Sequence, residues 1–127
     1  MWPYSKEVAP PAPFLDIVIR HPLTPDRMHR VTAKLDTGAD ISAIPQSVAT
    51  ALDLLPAQTI LAQSFDGTLT RIDTYAVTVE IGQARIRTIE VILIPDEHAL
   101  IGRDILNHFY VQLNGPPLTF DLRLSPP

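Results

Sequence analysis

The feature that most constrains the fold of this chain is a period-two alternation of apolar and polar residues in short segments separated by turns. Phe14 to Arg20 and Met28 to Leu35 both alternate in this way, and a proline-containing turn separates them. Residues two apart share one face of a β-strand, so each segment predicts a strand with one apolar face. Many short strands at regular spacing are typical of a small all-β domain.

Further strand signals continue this pattern towards the end of the chain. The additional predicted strands are residues 59–63, 69–81, 84–94, 110–113 and 118–124. An Asp-Gly turn between the first two predicts a β-hairpin, and the last two predict a second hairpin. Helical signals are confined to residues 45–54, which begin with a proline, and to residues 103–109. We therefore expect an all-β fold with one or two short helices.

Prolines divide the chain into one domain with two extended ends. Four prolines lie within residues 1–13, and residues 125–127 contain two more. Proline removes a backbone donor and fixes φ, so we expect an extended N-terminal arm over 1–13 and a tail over 125–127 rather than packed elements. Residues 14–124 then form the domain, and a chain of 127 residues has the usual length of a single domain.

Composition excludes several classes of protein. The chain has no cysteine, so it can form neither a disulfide nor a thiolate nucleophile. Five scattered glycines do not form a phosphate-binding loop. The net charge is −4 and no segment concentrates the basic residues, so we expect no nucleic-acid partner. The longest apolar run, Val91 to Ile94, is far too short for a membrane span, and no signal segment is visible, so a cytoplasmic protein is expected.

One acidic turn follows directly on a predicted strand. Asp36-Thr37-Gly38 comes after Leu35, the last residue of the second strand. A carboxylate at the end of a buried strand requires hydrogen-bond donors, and glycine allows backbone N–H groups to turn towards it. Asp-Thr-Gly also occurs as an ordinary turn, so by itself this tripeptide leaves both interpretations open.

Two other segments follow Asp36-Thr37-Gly38-Ala39 in a specific order. They are the hairpin from Ser64 to Thr68 and the apolar segment Leu100-Ile101-Gly102-Arg103-Asp104 before a helix. Together the three resemble the catalytic loop, the flap and the terminal segment of the retropepsin-like aspartic proteases, the family of retroviral proteases and their cellular and bacterial relatives. The resemblance implies a small closed β-barrel, and the C-terminal hairpin is more similar to bacterial members than to retroviral ones.

This resemblance implies an aspartic endopeptidase in which two carboxylates activate a water molecule. The chain has a single Asp-Thr-Gly, so the second aspartate has to come from a second copy across a two-fold axis. The C-terminal hairpin departs from the family's single terminal strand, so it either adds an interface strand or caps the sheet and favours a monomer. The alternative function is a retropepsin-like module that binds peptides or self-associates without significant cleavage.

The resemblance also implies roles for individual residues. The catalytic residues are Asp36, Thr37 and Gly38, with Thr37 hydrogen-bonding across the two-fold axis. Asp40 and Arg103 match the family's internal ion pair. The residues expected to contact substrate are Ala39, Asp40, Phe65, Asp66, Gly67 and Ile101, together with the loop over residues 95–98.

No cofactor or metal is expected, and the expected partners are a peptide or protein substrate and a second copy of the chain. The four histidines are too widely spaced to form a helical ligand pair. Asp96-Glu97-His98 contains metal-ligating residue types, but a solvated loop is the preferred interpretation. Asp104 is interpreted as a possible cap of its helix.

Overall fold

Strands dominate the structure, a computed structural model that describes residues 1–64 and 66–127. The strands are β1 (Trp2–Pro3), β2 (Phe14–Arg20), β3 (Met28–Leu35), β4 (Ala43–Pro45), β5 (Pro56–Gln63), β6 (Leu69–Ile81), β7 (Ala84–Ile94), β8 (Ala99–Ile101), β9 (Tyr110–Asn114) and β10 (Thr119–Arg123). The helices are α1 (Gln46–Leu52) and α2 (Arg103–Leu106).

Six of the strands close into a barrel. Hydrogen bonding follows the order β2-β3-β8-β4-β7-β6, and β6 also pairs with β2. β5 is added on the outer side of β6, so the β5–β6 hairpin extends from the barrel. Closure pairs each barrel strand on both sides, which satisfies backbone groups that an open sheet would expose at its edges. The predicted all-β class and closed barrel are confirmed.

The inward faces of the barrel strands form the hydrophobic core. β2 buries Leu15, Ile17 and Ile19, the alternate positions of the period-two pattern. β3 continues this core over residues 31–35. His29, which the pattern places on the same face, is exposed, because an imidazole without a buried partner is more stable in water. The predicted bounds of β2 and β3 agree with the structure residue for residue.

The two helices are shorter than the sequence suggests. Pro45 was expected in the first turn of a helix, but it is the last residue of β4 and pairs with β7, so α1 begins one residue later. Asp53 adopts a left-handed backbone conformation, with φ of 56°, which ends α1 before residue 54. α2 ends at Leu106, also earlier than predicted. None of the helices in the described ranges is long and apolar enough to cross a membrane.

The two ends of the chain meet in a second sheet of three strands, in the order β1-β10-β9. The predicted C-terminal hairpin is confirmed as β9 and β10. Trp2 pairs with Phe120, and their rings stack with centroids 5.5 Å apart. The expectation of an unpacked arm is therefore wrong for the first residues, because stacking buries aromatic surface that stabilises the ordered chain. Residues 125–127 are exposed, as expected of a tail.

Candidate active site

The Asp36 loop begins where two parallel strands end side by side. β3 and β8 pair in parallel, with Leu35 opposite Ile101. The N–H of Asp36 donates to the carbonyl of Ile101 at 2.9 Å, so the loop leaves the sheet at a defined point. The side chain of Ile101 is fully buried in the core. Ile101 therefore does not face a substrate groove as predicted, because strand alternation turns it inward.

The carboxylate of Asp36 is half-buried and is held by its own loop. Oδ1 accepts a hydrogen bond from the N–H of Gly38 at 3.0 Å. A Cβ at residue 38 would lie 3.3 Å from that oxygen, so glycine permits the close approach. Within the described residues no donor contacts Oδ2, which leaves this oxygen able to bind water or substrate.

Gly102 allows α2 to pack directly against the Asp36 loop. A Cβ at this position would lie 2.8 Å from the carbonyl oxygen of Ala39 and 3.1 Å from the carbonyl carbon of Ile41. The N–H of Arg103 donates to the same Ala39 carbonyl at 2.9 Å. A side chain at residue 102 would therefore displace the loop from the helix.

The side chain of Arg103 links α2 to the loop at two points. Nη1 donates to the carbonyl of Thr37 at 2.7 Å, and Nη2 pairs with the carboxylate of Asp40. The structure thus brings together Asp40 and Arg103, the two residues predicted to form an ion pair. Both of these side chains are largely exposed, so solvent screens the pair and its net contribution to stability is small. Its main effect is to orient the guanidinium towards the backbone of Thr37.

A second link, between Ser42 and Asp104, was missed in the sequence. The hydroxyl of Ser42 donates to Asp104 Oδ1 at 2.7 Å, and its backbone N–H donates to Oδ2 at 3.0 Å. The N–H of Gly102 in turn donates to the Ser42 hydroxyl at 2.8 Å. Asp104 also accepts from the N–H of Ile105, but a helix cap alone understates its role. The available signal was a serine directly before a buried apolar strand, where a hydroxyl requires a partner.

A groove of about 680 Å³ lies between the Asp36 loop and the β5–β6 hairpin. Residues 38–41 form its loop side, and they include Ala39 and Asp40, two of the residues expected to contact substrate. Residues 60–64 form the hairpin side. Isoleucines from the loop and from three strands supply much of the apolar lining: Ile41, Ile60, Ile72 and Ile92. The groove is thus apolar where the four isoleucines line it. It is polar at Asp40 on its loop side and at the end of its hairpin side.

The tip of the β5–β6 hairpin is the segment expected to act as a flap. The N–H of Gly67 donates to the carbonyl of Ser64 at 3.0 Å, and Gly67 has φ of 83°, which favours glycine. The hydroxyl and the backbone N–H of Thr68 hold the pKa of the Asp66 carboxyl below its ordinary value. Asp66 and Gly67 are exposed at the tip and do not line the groove. Phe65 lies outside the described residues.

The loop over residues 95–98 also lies apart from the groove-lining residues. His98 packs edge-on against Phe14, with ring centroids 5.3 Å apart. In residues 1–64 and 66–127, no three His, Asp or Glu side chains are grouped as metal ligands. Of the two carboxylates on the Asp36 loop, Asp40 lines the groove, whereas Asp36 is not a lining residue and adjoins the groove through its bond to Gly38.

The part of the sequence that contains this loop and the groove-lining residues matches a known protein family. The family model described as "gag-polyprotein putative aspartyl protease" matches residues 27–108, more than half of the chain. The match includes the Asp36 loop, the β5–β6 hairpin and α2. No curated protein matches the chain in sequence.

Solved structures share the fold. The solution structure of the simian foamy virus (mac) protease aligns with a TM-score of 0.56 and 22% identity, covering 75% of this chain and 92% of that one. The EIAV protease in complex with the inhibitor HBY-793 aligns at 0.53 and 22% identity, covering 82% and 90%. A retropepsin-like aspartic protease from Rickettsia conorii aligns at 0.51 and 16% identity, covering 97% and 98%. The retropepsin-like fold predicted from the three motifs is confirmed.

Proposed function

The chain belongs to the gag-polyprotein aspartyl protease family, and on this premise we propose that it is an aspartic endopeptidase in which Asp36 of two copies forms the catalytic pair. The observation that carries this proposal is the half-buried Asp36 carboxylate, which is held by the N–H of Gly38, a residue that lines an open groove. A module that only binds peptides has no requirement for a half-buried carboxylate at this position.

The proposed chemistry depends on two carboxylates that share one proton, because two like charges in one site do not both ionise readily. The ionised carboxylate accepts a proton from water, and the water oxygen attacks the peptide carbonyl carbon. The protonated carboxylate donates its proton to the developing oxyanion. The carboxylate that took the proton from water then donates it to the peptide nitrogen, and the other carboxylate accepts a hydroxyl proton of the diol as the C–N bond breaks, which releases an acid and an amine. The pair titrates as a unit, so the two roles alternate between copies.

One copy of the chain supplies half of this machinery. The sequence contains a single Asp-Thr-Gly, so the second Asp36 comes from a second copy related by a two-fold axis. Thr37 is exposed next to Asp36, and we assign its hydroxyl to a hydrogen bond across that axis. The bond from Arg103 to the Thr37 carbonyl supports this role, because it restrains the backbone that carries the hydroxyl.

The exposed apolar part of the terminal sheet supports a homodimer. In the β9–β10 hairpin, Val111 lies opposite Leu122 and Leu113 lies opposite Phe120, so all four share one face. Phe120 and Leu122 are buried, whereas Val111 and Leu113 are 37% and 51% exposed. The apolar face therefore extends beyond the barrel that covers its first half. We propose that the hairpin adds an interface strand, with β9 of a second copy covering the remainder.

The shape and lining of the groove support an extended peptide as substrate. Successive side chains of an extended chain point to opposite sides, so alternate residues would enter the two sides of the groove. The four isoleucines that line it favour apolar side chains on either side of the cleaved bond.

The test compares the parent protein with Asp36→Asn and with Asp26→Asn, a control carboxylate that is exposed in the turn before β3 and does not line the groove. Each protein is incubated with a diverse peptide mixture from about pH 4 to about pH 7, a range that brackets a coupled carboxylate pair. Products are identified by mass spectrometry. We expect Asp36→Asn to lose about 10³-fold or more in kcat/KM, the order of effect for removing a catalytic group, and Asp26→Asn to retain activity.

The dimer is tested in the same experiment by sedimentation of the parent and of Leu113→Lys. A lysine on the exposed apolar face of β9 places a charge in the proposed interface, so we expect a shift to monomer and loss of cleavage. Leu55→Lys, at an exposed residue outside both the groove and the terminal sheet, is the matched control and should remain dimeric. A dimeric parent that cleaves no peptide would contradict the enzyme and favour the peptide-binding module.

A further inference from the structure

A small basic cleft lies at the end of the barrel opposite Asp36. It is formed by Arg20 and His21 at the end of β2, by Thr78 on β6 and by Arg85, Arg87 and Thr88 on β7, and its volume is about 180 Å³. The eight residues of β3 separate this end from the Asp36 loop, a distance of about 25 Å at the usual strand rise. The cleft is therefore a separate site from the proposed active site.

The cleft carries an excess of positive charge. Arg20 Nε and Arg85 Nη2 each donate to Glu80 at 2.6 Å, and these two guanidinium groups hold the pKa of the Glu80 carboxyl below its ordinary value. Arg87 lines the cleft, and none of the described carboxylates forms an ion pair with it. Three arginines and one ionised glutamate leave a formal charge of about +2 around the cleft, with Arg87 free to bind an anion.

Thr78 contributes a hydroxyl that faces this cleft without a protein partner. It lies directly across from Arg20 on the neighbouring strand and is only 8% exposed. No hydrogen bond joins its side chain to another residue in the described part of the chain. None of the buried side-chain oxygens in the described ranges lacks a hydrogen-bond partner, so the Thr78 hydroxyl is open to the cleft that it lines. It is therefore available to bind a molecule in the cleft.

A strained β-bulge places Arg87 at the cleft. Val77 pairs with Ile89 and Val79 pairs with Ile86, so Thr78 alone faces both Arg87 and Thr88. Thr88 has φ of 56°, a conformation that β-branched residues rarely adopt. Bulges of this kind redirect a side chain and are frequent at functional sites. Here the bulge brings the guanidinium of Arg87 to the same cleft as the Thr78 hydroxyl.

His21 adds a further donor. Its Nδ1 accepts hydrogen bonds from the N–H groups of Leu23 at 3.1 Å and Thr24 at 3.2 Å. An imidazole nitrogen that accepts is unprotonated, so the proton of the neutral ring is on Nε2. The ring lines the cleft, and Nε2 provides an N–H donor there in addition to the arginine groups.

We propose that this cleft binds a phosphate-type oxyanion, either inorganic phosphate or the phosphoryl group of a small molecule. Phosphate matches the charge of the site, because a dianion compensates an excess of two positive charges, whereas a carboxylate compensates one. Its oxygens also accept hydrogen bonds from Arg87, from the Thr78 hydroxyl and from His21 Nε2. The proposal does not depend on the catalytic role of Asp36.

The test is a titration of the isotopically labelled protein with inorganic phosphate, in which NMR amide chemical shifts report binding. Chloride keeps the ionic strength constant. We expect saturable shifts confined to residues around the cleft. Arg87→Gln should weaken binding at least tenfold and Thr78→Val severalfold. Arg71→Gln, which changes an exposed arginine elsewhere on β6, should bind phosphate like the parent. Parallel titrations with acetate and with a phosphate monoester distinguish carboxylate from phosphoryl recognition.

Absence of saturable shifts in the parent, or equal weakening by Arg71→Gln and Arg87→Gln, would overturn the proposal. Stronger binding of acetate than of phosphate would overturn it as well. Thermal unfolding in chloride shows whether each variant is folded, and Thr78→Val, which preserves side-chain shape, carries the test if Arg87→Gln does not fold. Asp36→Asn should bind phosphate unchanged, so this result is independent of whether the protein cleaves peptides.

Discussion

Two turns of this protein have the same local chemistry and different surroundings. In the Asp36 loop, the carboxylate accepts a hydrogen bond from the N–H two residues later, at 3.0 Å. At the tip of the β5–β6 hairpin, the carboxylate of Asp66 accepts from the N–H of Thr68 at 2.9 Å. Both are turns in which an aspartate side chain bonds the backbone two residues on.

The tertiary contacts separate the two turns. The Asp36 loop is bound by the carbonyl of Ile101, by the side chain of Arg103 and, through Ser42, by Asp104. The hairpin tip has backbone hydrogen bonds between Ser64 and residues 67–68, which belong to the hairpin itself. The same type of aspartate-to-backbone bond is thus held by tertiary contacts in one region and lies at a solvent-exposed tip in the other. Rigid placement is what a catalytic carboxylate requires.

Glycine substitutions should give the largest difference between the two regions. Gly102→Ala should lower the free energy of unfolding by roughly 2–4 kcal/mol, because its new Cβ would contact loop backbone that cannot move aside. Gly67→Ala should cost only about 1 kcal/mol, from its positive φ in otherwise open surroundings. Urea unfolding measures both. Equal losses would mean that α2 does not hold the Asp36 loop.

Removing one hydroxyl from each region should give a smaller difference. Ser42→Ala should cost about 1–3 kcal/mol, because it leaves the buried N–H of Gly102 and a carboxylate oxygen of Asp104 without a partner. Thr59→Ala, which removes an exposed bond to Asp73 on the hairpin, should change stability by less than about 0.5 kcal/mol. The same unfolding experiment applies. A Ser42→Ala protein as stable as the parent would contradict the role given to this link.

The smallest expected effect is the pH response of the hairpin tip. The pKa of Asp66 is lower in the folded protein than in the unfolded chain, where it is about 3.9. The ionised carboxylate therefore stabilises the tip at pH values above the unfolded pKa, and this stabilisation is lost as the pH falls through the folded pKa. Thr68→Val removes the hydroxyl that contributes to the lowered pKa and keeps the backbone bond, so the pKa of Asp66 should rise part of the way towards its ordinary value. Carboxyl carbon chemical shifts measure it, with Thr70→Val as the control. If the pKa of Asp66 is as low in Thr68→Val as in the parent, the hydroxyl of Thr68 is not the cause of the lowered value.

Much of the fold could be predicted from local sequence. The bounds of β2, β3 and β7 follow from alternation and turn residues, which act over a few neighbouring positions. The start of α1 could not be predicted in this way, because Pro45 is compatible with a first helical turn and its pairing with β7 is a long-range contact. The packing of Trp2 against Phe120 is likewise invisible in a proline-rich segment, since it joins opposite ends of the chain.

The candidate site was predictable where local motifs mark its residues and not where long-range contacts decide their positions. The structure brings together Asp36-Thr37-Gly38, Asp40 and Arg103, which lie in segments whose order along the chain is typical of the family. Ile101 was misplaced, because sequence order puts it next to the site whereas strand alternation turns its side chain into the core. Ser42 was missed because its position before a buried strand indicates only that its hydroxyl needs a partner, and that partner, Asp104, is distant in the chain.

By itself, the sequence determined most of the strands, the Asp66-Gly67 turn and the position of the single Asp36-Thr37-Gly38 loop. Local backbone preferences and side-chain alternation are sufficient for these features. Tertiary structure alone decided which of the two aspartate turns is held in place. The contacts that hold the Asp36 loop come from residues more than sixty positions away, and only closure of the barrel brings Asp104 to Ser42 and Arg103 to Thr37.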